Sequence, residues 1–180
     1  MNKGGHDYKI ENSLQLITEF STVIGDSMTG LKHGRKLLDV ENQEKLFEVI
    51  EIPIYWIAVY RNPFDVISSS ALMNEQSIEK NIDYFIENIN IVNALSENEK
   101  INKNLIHVYL EDLIEDSEIQ LKFLVNFLGL RSSKAFTNTC KEIIFDNSNQ
   151  GFYRDEWTDY EIEKVNEFII DTKELHKYKD

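Results

Sequence analysis

The run Ile54-Tyr-Trp-Ile-Ala-Val-Tyr60 limits the possible folds more than any other stretch of the chain. It is apolar, β-branched and aromatic, with no polar alternation. A strand wetted on one face alternates; a strand covered on both faces does not, and such strands belong to parallel sheets. The next residues turn directly into a helix. Asn62 suits the N-cap, Pro63 the first helical position, and Asp65 the first turn, where the helix dipole favours a carboxylate. Val66, Ile67 and Leu72 are expected to face the sheet. Arg61 stands at the strand's carboxyl end, where open α/β sheets bind ligands. An Arg beside a helix N-terminus is a natural phosphate site. Ser69 falls on roughly the same side of the helix as the cap, so its hydroxyl can join such a site. The bland alternative is a βα junction whose Arg is solvated or paired with a neighbouring carboxylate.

A chain of 180 residues is long enough for one domain with a core, here 42% hydrophobic and 28% charged. The net charge of −13 argues against nonspecific binding to nucleic acid or an anionic membrane. Any site for an anion must then be a local positive island. Only four arginines exist, Arg35, Arg61, Arg131 and Arg154. Cys140 is the single cysteine, in an expected helix, and reads as a packing residue. No His/Cys cluster has metal-ligand spacing, so no metal site is expected. No signal-peptide core and no run of membrane-span length is seen, and the cytosol is the default location.

Along the chain, residues 1–10 are polar and expected to fray. Ser21–Ile24 is a short strand candidate, followed by the loop Gly25-Asp-Ser-Met-Thr-Gly30. Met73–Ser77 breaks the helix after Arg61, and Ser77 caps the next, 78–95, with Ile78, Ile82, Phe85, Ile86, Ile89 and Val92 at helical spacing. Asn98–Asn104 reads as a polar turn. Leu105–Tyr109 is a second buried strand, and His107 within it reads as a satisfied core residue. Ser117 is expected to cap a helix to Leu128, with Phe123, Leu124, Phe127 and Leu128 inward and Gly129 as its stop. Ser132 or Ser133 then caps a helix to about Phe145. Thr158 and Glu161 form a capping box for the last helix, with Ile162, Val165, Phe168 and Ile169 inward. Lys173–Asp180 reads as an unstructured tail, with residues 176–180 flexible. The expectation is one α/β domain over 1–180, with a central, mostly parallel sheet (strands 21–24, 54–60 and 105–109) flanked by helices.

Arg61-Asn-Pro-Phe-Asp-Val-Ile-Ser-Ser69 resembles the sulfotransferase signature R-[DN]-P-x-D-V-x-x-S. The segment from Val108-Tyr-Leu-Glu-Asp-Leu113 to Phe127-Leu-Gly-Leu130 is similar to that family's strand, acidic turn and helix, with Leu110 inserted between Tyr109 and Glu111. What the resemblance implies is a P-loop NTPase-like sulfotransferase fold. It also implies transfer of a sulfuryl group from 3′-phosphoadenylyl sulfate (PAPS) to a hydroxyl or amine of a small-molecule or glycan acceptor. On this pattern Arg61 and Ser69 hold the 3′-phosphate. Arg154 covers the nucleotide, Lys32 faces the sulfonate, and His33 or Asp26 is the base. Trp157 either stacks on adenine or staples the last helix, and the staple is the favoured reading. The family's opening strand and phosphosulfate loop are not found in residues 1–20. Residues 25–32 read as a P-loop, as a second-strand loop of the family, or as a plain glycine loop. A fold-relic binding or scaffold protein and a P-loop kinase-like protein are the alternatives.

Overall fold

Residues Trp56–Tyr60 form a strand (β1) and Leu105–Tyr109 a second (β2), and the two pair in parallel from Trp56↔Leu105 to Tyr60↔Tyr109. A computed structural model describes residues 54–130, 134–144 and 157–179. Strands paired in parallel need a long crossover. Here it consists of α1 (Pro63–Asn74), α2 (Ile78–Glu97) and the short α3 (Glu99–Asn102). After β2 come α4 (Leu110–Glu115), α5 (Ser117–Phe127), α6 (Lys134–Ile143), α7 (Asp159–Asp171) and a 3-10 helix, Lys173–Tyr178. The described residues are mostly helical with a small parallel sheet, an α/β arrangement. The expected strand at 21–24 lies outside the described residues.

The core sits between one face of β1 and the helices α1, α2 and α7. Ala58 and Tyr60 meet Ile67 and Ala71 of α1, Ile82, Phe85 and Ile89 of α2, and Val165 and Ile169 of α7. Leu175 of the 3-10 helix closes it and is fully buried. The apolar stripe expected on 78–95 is therefore core. Asn81, also buried, clamps α1 to α2: its Oδ1 accepts from Ser70 Oγ at 2.8 Å and its Nδ2 donates to the Ser77 carbonyl at 2.8 Å.

The helix boundaries follow local chemistry. Ser77 Oγ accepts from the Lys80 amide and Thr158 makes its capping box with Glu161. Gly129 adopts φ 69°, with Leu130 N–H donating to the Val125 carbonyl and Gly129 N–H to that of Asn126. This is the paired-bond stop that favours glycine. The same bonds end α1, from Gln76 N–H to the Ala71 carbonyl and Glu75 N–H to the Leu72 carbonyl, but Glu75 takes the left-handed position at φ 51°.

Several expectations need correction. Val59 is 39% exposed, so β1 is not covered on both faces by the described residues. Leu72 points outward, because the buried stripe of α1 runs through Phe64, Ile67 and Ala71. Asn98–Asn104 is not a plain turn: Asn98 caps α3, and Ile101 drops into the interior at 0% exposure. Asp116, not Ser117, caps α5, and its inward stripe is Leu121 and Val125, with Phe123 exposed. The tail is structured to Lys179, through Leu175 and the contacts described below.

Ile101→Ala is expected to cost about 2–5 kcal/mol, as for other buried Ile truncations, read from denaturant unfolding. Glu75→Gly should stabilise the protein by about 1 kcal/mol, the order of the penalty for a side chain in the left-handed region, read by the same method.

Candidate anion-binding site

The junction between β1 and α1 is built as the sequence suggests. Asn62 Oδ1 accepts from the Phe64 amide at 3.0 Å, and Pro63 opens the helix. Arg61, the last residue before the cap, is half-buried, at the carboxyl end of a strand in a parallel pair. Its guanidinium lies 3.7 Å from the Asp65 carboxylate, itself 7% exposed. That is a charge contact beyond hydrogen-bond length. Asp65 and Ser69, four apart within α1, share a helix face. Ser69 is half-buried, and no side-chain hydrogen bond from it is seen among the described residues. Both features of the competing readings are present: a helix N-terminus beside Arg61, and a carboxylate paired with it.

One carboxylate not singled out from the sequence as a site residue joins this junction. Glu111, in the first turn of α4, accepts the Asn62 N–H at 2.9 Å through Oε1 and the Tyr178 hydroxyl at 2.7 Å through Oε2. Two further contacts seat the 3-10 helix. Tyr109 OH donates to the Glu174 carbonyl at 2.9 Å, and Lys177 pairs with Asp112 while lying 5.2 Å from the centre of the Tyr109 ring. The C-terminal segment thus lies at the carboxyl ends of the strands, the ligand side of such sheets. Burial, and then the bond to Glu111, push the Tyr178 hydroxyl well above the usual phenol range. The signal in the sequence was slight: Leu175 and Tyr178 in an otherwise polar tail.

Between the strands, Tyr60 and His107 share a hydrogen bond of 2.9 Å from Tyr60 Oη to His107 Nδ1, and their rings stack at 5.5 Å. His107 is half-buried at the edge of the core, with its Nδ1 paired to Tyr60. Burial lowers its pKa below 6.5, and the charge of Glu174 only partly offsets this. Trp157 is 8% exposed, packs on Phe64 at 5.0 Å and donates Nε1–H to Ser68 Oγ at 2.9 Å. Its ring is inside the core, as the staple reading expected. His33, Asp26, Lys32 and Arg154 lie outside the described residues. Among the described residues no group of three or more His, Cys, Asp or Glu is placed to hold a metal ion, and no helix is long and apolar enough to cross a membrane. Comparison with protein-family models, curated proteins and solved structures gives no match.

The lowered pKa of His107 sets a sign. Below pH 6.5 the unfolded chain takes up a proton that the folded ring resists. Stability from this residue is complete above that value and declines as the pH falls from it towards the lowered folded-state pKa. His107→Gln, which keeps a side-chain acceptor, should flatten that part of the stability–pH curve. Trp157→Phe should cost about 1–3 kcal/mol, because Ser68 Oγ loses its buried partner, read from thermal unfolding.

Proposed function

We propose that the protein binds a 3′-phosphorylated adenine nucleotide at the Arg61–Ser69 junction and acts as a sulfotransferase of the P-loop-like α/β type. The observation that carries the reading is the placement of Arg61. It sits at the carboxyl end of a parallel strand, immediately before a side-chain-capped helix opened by Pro63, within a nine-residue match to the sulfotransferase signature. Arg61 and Ser69 would hold the 3′-phosphate by charge and hydroxyl donation, helped by the helix dipole. Bound PAPS would supply an already activated sulfuryl group. The protein's share of catalysis is then to hold donor and acceptor in line and to neutralise charge on the transferring group. His33 or Asp26 is proposed as the base for an acceptor hydroxyl or amine, Lys32 as the sulfonate contact, and Arg154 as the cover of the nucleotide.

Calorimetric titration with adenosine 3′,5′-bisphosphate without Mg²⁺ tests this. Micromolar binding supports the reading, and no binding at millimolar ligand overturns it. Arg61→Ala should weaken binding by about 10- to 150-fold, the equivalent of one charge-assisted hydrogen bond at 1.5–3 kcal/mol, with the circular dichroism spectrum unchanged. Equal affinity in that variant would remove Arg61 from the site.

A further inference from the structure

We propose that Glu111 and Tyr178 form a relay that fixes the Arg61–Asn62 peptide, making the C-terminal 3-10 helix a positioning element of the phosphate site. The inference rests on the nucleotide-binding reading above and adds two residues to it. The strand ladder ends at Tyr60, and α1's own backbone bonding starts with Val66 N–H to the Asn62 carbonyl at 3.1 Å. The peptide unit between them follows the Cα of Arg61 directly and belongs to neither element. Its N–H is held by Glu111 Oε1 at 2.9 Å. A glutamate side chain has three rotatable bonds, so a single contact would not orient it. The second contact, from Tyr178 OH to Oε2 at 2.7 Å, holds the other oxygen.

Tyr178 is in turn seated independently of Glu111. Leu175 is fully buried, Glu174 is tied through its carbonyl to Tyr109, and Lys177 is paired with Asp112. The Tyr178 ring also lies 6.2 Å from that of Tyr109. The order of control therefore runs from the tail to Glu111 to the backbone that aims Arg61. The relay needs an acceptor at Oε1, not a negative charge. A carboxylate beside a bound phosphate is repulsive, so a neutral acceptor in its place should position the junction equally well.

Three variants of the full chain separate these statements: Glu111→Ala, Glu111→Gln and Tyr178→Phe. Amide exchange followed by NMR should show the Asn62 amide exchanging about tenfold faster in Glu111→Ala, the upper size of one ordinary hydrogen bond. Tyr178→Phe should show a smaller acceleration, with the β1 amides of Ile57 to Val59 unchanged. Glu111→Gln should stay near wild type. Titration with adenosine 3′,5′-bisphosphate should follow the same order: weaker in Glu111→Ala and Tyr178→Phe, equal or tighter in Glu111→Gln. Unchanged Asn62 exchange in both Glu111→Ala and Tyr178→Phe overturns the relay. Faster exchange with unchanged bisphosphate affinity overturns its positioning role. Glu111→Gln as weak as Glu111→Ala shows that charge, not position, is what Glu111 supplies, and also overturns it. Wild-type protein that does not bind the bisphosphate overturns the site assignment, while the exchange data still decide the relay.

Discussion

The parallel pairing of β1 with β2 is the constraint on which the described structure depends. Two strands running the same way cannot be joined by a tight turn, so α1, α2 and α3 must carry the chain back across the sheet. Once they do, the apolar faces of α1 and α2 fall on Ala58 and Tyr60, and α7 closes over them. The same pairing brings Tyr60 and Tyr109 level at one end of the sheet, with their rings stacked at 5.4 Å. Arg61 and Leu110 then leave the sheet side by side, and this brings Glu111 within reach of the Asn62 amide.

The electrostatics of that end are finely balanced. A chain of net charge −13 gathers Arg61, a helix N-terminus and Lys177 at the carboxyl ends of its strands. It also places Asp65, Glu111 and Asp112 there. Each positive group has an acidic partner, so a phosphate bound at the proposed site would exchange one set of contacts for another and gain only the difference. A planar guanidinium presents its donors in a fixed fork, so selection at the proposed site would rest on geometry as much as on charge.

Local rules made the elements legible and long-range ones did not. Asn62, Ser77, Thr158 and Gly129 act within a few residues of themselves, and each performs the terminal role its residue type favours. The apolar strands announce themselves by composition, down to their last residues, Tyr60 and Tyr109. Ile101 was hidden because one apolar residue in a polar turn carries no period. Glu111 was legible only as part of an acidic turn, because its partners lie 49 and 67 residues away. The 3-10 helix was hidden for the same reason, since its order derives from burial of Leu175 and from Tyr109, not from helical propensity. Of the proposed site, Arg61 and Ser69 were singled out from the sequence, and Asp65 was read there as a first-turn carboxylate; that it is the carboxylate nearest Arg61, at 3.7 Å, emerged only with the fold in view.

The position of the core-closing residues in the chain also bears on synthesis. Trp157, Val165, Ile169 and Leu175 cover side chains that precede them by roughly a hundred residues, among them Phe64, Ile67 and Phe85. On a ribosome, β1, α1, α2 and β2 emerge with that surface open to water. Until the later segment follows, the nascent chain presents an apolar patch and an unfinished sheet, the state in which chaperones bind and aggregation competes with folding.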